Sequence, residues 1–212
     1  MKLLELFCGT KSITKVFNAR GHDAYTVDLE ESMNPDLCIN VMDLTAEMII
    51  EKFGRPDVIW ASPPCTKFSV ASIGRNWIKD GNNVISKNEE AELAKRIVIH
   101  TINLIRELNP KYYFIENPRG MLRKMPFMQE LLRYTVTYCQ YGDTRMKPTD
   151  IWTNVNEPNF KPMCKNGDPC HEAAPRGSRT GTQGLKNAKD RGVIPPQLCE
   201  HICLKCEEDI NK

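Results

Sequence analysis

The sequence predicts a three-layer α/β fold: a mainly parallel sheet covered by helices on both faces, with a small C-terminal appendage. Three observations lead there. Over the first 140 residues, short apolar runs alternate with helical patterns, the signature of a parallel sheet wrapped by crossover helices. The chemically unusual residues fall just after the predicted strands, where open α/β sheets bind ligands. After Asn154 this periodicity stops and the composition turns basic and loop-like.

The predicted strands are Leu3–Phe7, Ala24–Asp28, Leu37–Val41, Asp57–Ala61 and Tyr112–Glu116, each apolar and bounded by Gly, Pro, Asn or Asp. Ser12–Arg20 and Thr45–Phe53 read as short helices. Ala94, Ile97, Val98, Ile102, Ile105 and Leu108 recur at helical spacing, so a long helix is expected over Asn88–Leu108. A last helix is expected over Gln197–Glu207, after Pro195-Pro196. Between Lys161 and Gly192, seven Lys/Arg face three Asp/Glu, a basic loop of the length that usually carries function or is disordered.

The chain has 212 residues, which fits one domain with a small addition. Its 29 Lys+Arg against 27 Asp+Glu exclude a basic tail protein but leave room for a local basic face. No apolar run reaches the ~18 residues of a membrane span. The apolar start is interrupted by Glu5 and Gly9, so it reads as a first buried strand rather than a signal peptide. Nine cysteines, an odd number, cannot all pair within one chain; a reducing compartment with free, catalytic or metal-bound thiols is expected.

Four segments carry chemistry. In Glu5-Leu6-Phe7-Cys8-Gly9-Thr10-Lys11-Ser12, a strand ends in a glycine turn before a helix, which lets backbone N–H groups approach a ligand. Asp28 follows the second strand and can take two ribose hydroxyls; Asp43 follows the third and can accept from an adenine amine. Three such features on one sheet edge favour a nucleoside-containing cofactor, and without GxGxxG a dinucleotide is disfavoured. In Ala61-Ser62-Pro63-Pro64-Cys65-Thr66-Lys67-Phe68-Ser69, two prolines stiffen the turn that holds Cys65 at the ligand edge, a nucleophile candidate. Phe114-Ile115-Glu116-Asn117-Pro118 ends the fifth strand, and a carboxylic acid beside a thiol suits nucleophilic attack on a ring that is protonated as it is attacked. In Gln140–Asn154, Arg145 and Lys147 lie beside a turn and can hold a phosphate or a carbonyl oxygen.

The order of these segments resembles the cytosine-C5 DNA methyltransferases over residues 3–154, in the compact form carried by bacteriophages and prophages, where restriction-modification is a usual setting. The resemblance implies a Rossmann-like S-adenosylmethionine-dependent methyltransferase fold and methyl transfer to C5 of a flipped cytosine. It implies that Phe7, Cys8, Gly9, Thr10, Asp28, Leu29, Asp43, Leu44 and Pro63 hold the cofactor. It also implies that Cys65 adds to C6, that Glu116 bonds N3 and the exocyclic amine, and that Arg145 or Lys147 contacts O2. Lys11 stands where the family has a second glycine, Thr149 stands where it has a second site arginine, and no Gly-Asn-Ser-Val-like final motif is present.

The expected division is a catalytic domain over 1–154 and a recognition loop with a C-terminal helix over 155–212. Double-stranded DNA is the expected partner, with no membrane and a cytoplasmic setting in a bacterial or phage-infected cell. Thr66–Lys87 reads as a mobile loop whose Ser69 touches DNA and whose Trp77 and Ile78 fill the gap left by the flipped base. Arg176, Arg179, Thr182, Gln183 and Lys186 are the expected DNA contacts in the basic loop, since Arg reads guanine and Gln reads adenine. Zinc at Cys164, Cys170, Cys203 and Cys206 is a candidate against a default of free thiols. Cys8, Cys38 and Cys139 read as core or strand-end residues. Two other readings stay open: a silent or regulatory DNA-binding module on the same fold, and the same chemistry on tRNA.

Overall fold

A computed structural model of the chain describes residues 1–81, 83–172 and 188–208. In chain order the elements are β1 Lys2–Leu6, α1 Ser12–Ala19, β2 Asp23–Asp28, β3 Leu37–Cys38, α2 Ala46–Phe53, β4 Val58–Ala61, α3 Ile73–Asn76, β5 Trp77–Asp80, β6 Asn83–Ser86, α4 Glu89–Leu108, β7 Tyr112–Pro118, β8 Arg133–Thr137, β9 Pro148–Thr153, α5 Ala188–Gly192 and α6 Pro196–Glu207. Seven strands form one sheet in the order β3-β2-β1-β4-β7-β9-β8. The first five of these are parallel, and β9 runs antiparallel between β7 and β8.

Alternation along the strands sends side chains into two cores, as expected of a sheet buried on both faces. Leu4, Leu6, Ile59, Ala61 and Ile115 pack with Ile49 and Phe53 of α2 and Val98, Ile102 and Ile105 of α4. Leu3, Val58, Trp60, Tyr112 and Phe114 face the other way and pack with Ile13 and Phe17 of α1 and Leu198, Cys199 and Ile202 of α6. The last helix thus shares a core with the first strand. Caps fix the helix starts: Thr45 Oγ1 accepts from the Met48 N–H, and Asn88 Oδ1 from the Ala91 N–H. Glu89, Glu90 and Glu92 add negative charge to the first turn of α4, where the helix dipole favours it.

All five predicted strands and four predicted helices are present. The third strand is shorter than the expected Leu37–Val41: after Cys38 the chain turns, and Val41–Asp43 form a 3-10 turn opened by the Asn40 side chain accepting from the Met42 N–H. Thr66–Lys87, expected as a mobile loop, instead carries α3 and the β5–β6 hairpin, whose pairing sets Trp77 opposite Ser86 and Ile78 opposite Ile85. Strands β8 and β9 have no counterpart in the sequence reading.

The chain passes outward from β1 to β3 and then returns to β4, so β1 and β4 flank the point where the order reverses and a crevice opens. On β1, buried Glu5 accepts from the Thr14 N–H at 2.9 Å and so caps α1 from beneath. Burial raises its pKa from 4.5 to about 7, outweighing the hydrogen bonds to Thr14 and Ile13 and the charge of Lys11. The folded chain therefore holds this proton more tightly than the unfolded chain. The stabilisation is complete below about 4.5 and is lost as pH rises through about 7, by on the order of 3 kcal/mol. In urea unfolding at pH 5 and pH 8, Glu5→Gln should gain stability relative to the native chain as pH rises by about that amount; parallel pH dependences would remove Glu5 as the source.

Candidate active site

The first edge of the site is the turn between β1 and α1. Phe7 and Lys11 adopt positive φ of 57° and 56°, and Gly9 lies between them at 44°. Lys11 thus takes up the left-handed conformation that a glycine adopts freely, at a cost of about 1–2 kcal/mol for an L-residue. Its Nζ donates to the Asn34 carbonyl. Asp28 at the end of β2 is held by two backbone donors, with Gly9 N–H to Oδ2 at 2.9 Å and Glu30 N–H to Oδ1 at 3.0 Å. Leu29 beside it is 68% exposed, an apolar surface next to a fixed carboxylate. Asp43 is exposed at the same end of the sheet, whereas Leu44 and Cys8 are buried in the core. The Leu44 side chain packs beneath the edge in the α2–α4 core, so only its backbone faces the edge beside Asp43.

The second edge is the turn after β4. Cys65 is half-buried, and its carbonyl accepts from the Phe68 and Ser69 N–H groups at 3.0 and 2.9 Å. The turn is tied to β7: Asn117 Nδ2 donates to the Pro63 carbonyl at 2.9 Å, and the Met121 N–H donates to the Phe68 carbonyl at 2.7 Å. The buried Asn117 Oδ1 has no hydrogen-bond partner among the described residues. The Lys67 carbonyl accepts from Asn76 Nδ2 and Trp77 Nε1, which anchors the hairpin to the same turn.

Three polar side chains gather behind Cys65. Glu116 shares its strand face with Phe114 and is buried, and it accepts from Tyr138 Oη at 3.1 Å. Burial and the Glu116 carboxylate raise the Tyr138 pKa well above the usual phenol range, so this hydroxyl stays a donor. Lys147, just before β9, is brought to β7 by the antiparallel pairing of Pro118 with Thr149. Its Nζ lies 4.4 Å from the Tyr138 ring centroid and donates to the Arg191 carbonyl at 2.8 Å. Burial lowers the Lys147 pKa, with Glu116 opposing. Burial and then Glu116 raise the Cys65 pKa, while the Lys147 and Arg191 charges pull it down. The arrangement is a thiol and a carboxyl group beside one buried cation; burial holds the thiol above its ordinary pKa, and the cation opposes that shift.

Several expected site residues fall elsewhere. Trp77 is 3% exposed and stacks on Phe68 with centroids 5.4 Å apart, so core packing holds the indole that was expected to fill a base gap. Ile78, the other gap-filling expectation, is exposed on the hairpin opposite Ile85. Arg145 is clamped on Asp143, with Nε at 2.9 Å from Oδ1 and Nη2 at 2.5 Å from Oδ2, leaving Lys147 as the cation facing Cys65. Thr149 is fully buried and donates to the Lys147 carbonyl. Ser69 Oγ pairs with Ser72 Oγ at 3.0 Å within the turn. Cys203 lies with His22 and Glu207, and neither it nor Cys206 joins Cys164 and Cys170. Arg176, Arg179, Thr182, Gln183 and Lys186 lie outside the described residues.

The sequence reading missed Tyr138 altogether and gave Asn117 and Arg191 no role in the site. Tyr138 carries no local signal, because its partner Glu116 is 22 positions away. The C-terminal segment lacks the family's final motif in sequence but closes onto the site in space. Arg191 caps Lys147, and the Ile194 N–H donates to Ser12 Oγ at 3.3 Å at the start of α1.

Residues 1–131 match the family model of C-5 cytosine-specific DNA methylases. A curated protein named "Probable DNA (cytosine-5)-methyltransferase" from Frog virus 3 is 33% identical over 180 residues, 80% of this chain and 78% of its own. Among solved structures, one described as a DNA modification methyltransferase encoded within a prophage of E. coli superposes with a TM-score of 0.55 at 16% identity. That match covers 78% of this chain and 52% of that one. The Entamoeba histolytica methyltransferase EhMeth gives 0.54 at 11% identity, over 76% of this chain and 55% of its own. The chain thus spans about half the length of these solved structures, and the likeness to them is one of fold: a Rossmann-like methyltransferase sheet.

A Cβ on Gly120 would meet the Phe68 carbonyl oxygen at clashing distance, and that same oxygen takes the Met121 N–H. Gly120→Ala should therefore push the Cys65 turn away from β7 and cost about 1–3 kcal/mol, as overpacking does. Chemical denaturation checks this, and an unchanged midpoint would show that the turn is not locked there.

Proposed function

The chain belongs to the C-5 cytosine-specific DNA methylase family, whose members are S-adenosylmethionine-dependent DNA (cytosine-5)-methyltransferases, and from that premise we propose a catalytic role for each site group. Cys65 is the nucleophile, Glu116 engages the target base, and Lys147 is the cation that serves both. The observation that carries this reading is the convergence of Cys65, Glu116, Tyr138 and Lys147 at the carboxyl ends of β4 and β7.

The site fits S-adenosylmethionine. The Asp28 carboxylate is already oriented by two amides and suits a ribose diol, and exposed Leu29 suits the face of an adenine. The orphan Asn117 Oδ1 beside the Pro63 backbone offers an acceptor that no protein group uses. Phe7, Gly9, Thr10, Asp28, Leu29, Asp43 and Pro63 would hold the cofactor, with Cys8 and Leu44 contributing backbone only. S-adenosylmethionine supplies an electrophilic methyl group.

The residues of the chain act on the cytosine. The target base leaves the duplex to reach the buried cluster. The Cys65 sulfur forms a bond to C6 of the ring. Glu116 hydrogen-bonds N3 and the exocyclic amine, drawing electrons away from C6 as that bond forms. Tyr138 holds Glu116 in place, and Lys147 stabilises the thiolate before attack and faces O2 afterwards. Once C5 carries the methyl group, loss of the C5 proton to water and departure of the Cys65 thiolate from C6 restore the aromatic ring. In this scheme residues 1–154 carry the chemistry, with α6 completing their core, and about residues 155–192 serve recognition of double-stranded DNA. The exposed Ile78–Ile85 pair on the hairpin offers an apolar surface to the duplex. A cytoplasmic setting is part of the same proposal.

Incubation with mixed-sequence DNA or tRNA and S-adenosylmethionine, followed by nucleoside mass spectrometry, tests the reading. We expect 5-methyl-deoxycytidine from DNA with the native chain and none with Cys65→Ser. Methylation of tRNA alone, or activity retained in Cys65→Ser, would contradict it. Tyr138→Phe removes a hydrogen bond to a buried carboxyl group worth about 1.5–3 kcal/mol, so turnover should fall about 10- to 100-fold. Neutralising Arg176, Arg179 and Lys186 together should lower the slope of log affinity against log salt by up to about 2.7. An unchanged slope would take that loop out of the DNA interface.

A further inference from the structure

A second cluster of reactive side chains lies outside the catalytic groups. Cys139 sits in the 3-10 turn Tyr138–Tyr141 that follows β8, while Cys164, Cys170 and His171 come from the segment after β9. Their ligand atoms all lie within 4.8 Å of one another. Cys139 and Cys164 are buried, and Cys170 is half-buried. We propose that Cys139, Cys164, Cys170 and His171 bind one Zn²⁺ as a closed, four-ligand structural site.

The spacing supports a tetrahedral ion. Zn–S bonds of about 2.3 Å and Zn–N bonds of about 2.0 Å put ligand atoms about 3.8 Å apart for S–S and about 3.5 Å apart for S–N. Here Cys139 Sγ–Cys170 Sγ is 3.6 Å, Cys164 Sγ–His171 Nδ1 is 3.7 Å and Cys170 Sγ–His171 Nδ1 is 3.6 Å. Cys139 Sγ–Cys164 Sγ is 3.1 Å, shorter than that edge but well beyond the roughly 2.05 Å of a disulfide. Four soft or borderline ligands with no open position match a structural zinc centre rather than a catalytic one.

The surroundings hold the ligands in place. The Cys164 N–H donates to Thr137 Oγ1 at 3.1 Å, which fixes that ligand to the end of β8. The Lys165 N–H donates to Asp168 Oδ2 and the Asp168 N–H to the Lys165 carbonyl, a turn that brings Cys170 back to Cys164. Gln140 Nε2 points at Cys170 Sγ at 3.5 Å, an outer-shell donor to a thiolate. Lys161 Nζ on the Gln140 carbonyl adds positive charge beside a centre that would carry one net negative charge. Binding converts three thiols to thiolates and releases three protons, with no change of oxidation state. The other group of metal-ligating residues among the described residues, His22, Cys203 and Glu207, is different: Glu207 is already occupied by the Arg20 guanidinium at 2.9 and 2.6 Å.

The site would pin the start of the basic segment to the turn that carries Tyr138, and hence to Glu116. It differs from the ligand set expected from spacing. Cys139 takes the place of Cys203 and Cys206, because the fold brings β8 rather than α6 to Cys164, while His171 follows Cys170 directly.

The test uses the full chain, purified in reductant and equilibrated with Zn²⁺, then passed through gel filtration before elemental analysis. About one zinc per chain is expected. Replacement with Co²⁺ should give the strong visible bands of a tetrahedral site with thiolate charge-transfer absorption. Cys139→Ser and Cys170→Ser should lose stoichiometric zinc, Gln140→Leu should weaken binding about 10- to 100-fold, and exposed, distant Cys38→Ser should change nothing. The native chain decides the matter even if the variants fold poorly. Zinc far below one per chain, an octahedral cobalt spectrum, or a Cys139–Cys164 disulfide in protein kept reduced would overturn the proposal.

Discussion

Parallel pairing of β4 with β7 is the constraint on which the site depends. With Trp60 beside Phe114 and Ala61 beside Ile115, β4 ends while β7 runs on for three more residues. The Cys65 turn leaves β4 beside that overhang, which carries Glu116 and Asn117. A slip of one residue would send Glu116 to the opposite face, into the apolar core of α2 and α4. The Asn117–Pro63 and Met121–Phe68 hydrogen bonds and the close approach at Gly120 then fix the turn against the strand. The nucleophile is thus positioned by backbone register and needs few contacts of its own.

That register creates an electrostatic problem. A buried carboxyl group, a thiol and an ammonium lie together in a place where isolated charge is costly. Two of the three are partnered: Glu116 by Tyr138, and Lys147 by the Tyr138 ring and the Arg191 carbonyl. Glu116 and Lys147 shift the Cys65 thiol in opposite directions, so its reactivity depends on which charge dominates when a base enters. The sheet edge is held by a similar device. Buried Asp150 on β9 accepts from Arg123 Nε and from Thr135 Oγ1 of β8, both at 2.8 Å. Removing Arg123 would leave the buried Asp150 carboxylate without its counter-charge.

The parallel part of the fold was legible because each strand is apolar on both faces and each helix carries a periodic stripe. The motif residues were legible because they follow those strands directly. Strands β8 and β9 were not, since Arg133–Thr137 and Pro148–Thr153 mix polar residues whose partners lie on other elements. Thr149, Asp150 and Thr153 are buried only because Arg123, Thr135 and neighbouring backbone receive them. Trp77 was misread for a related reason. Its flanks are polar, and only the stack on Phe68 and the bond to the Lys67 carbonyl bring it inside. The company of Cys139 with Cys164, Cys170 and His171 has no trace in spacing, because 25 residues separate Cys139 from the nearest of them.

The central claim is that Cys65 bonds to the target ring while Glu116 holds it. The most direct measurement replaces cytosine in substrate DNA with 5-fluorocytosine. The fluorine cannot leave C5 as a proton does, so a methylated adduct should stay attached. In the presence of S-adenosylmethionine, the account predicts a denaturation-resistant protein–DNA species whose peptide map places the link on Cys65. Methyl transfer to unmodified DNA with no trapped species, or a link on any other residue, would contradict it.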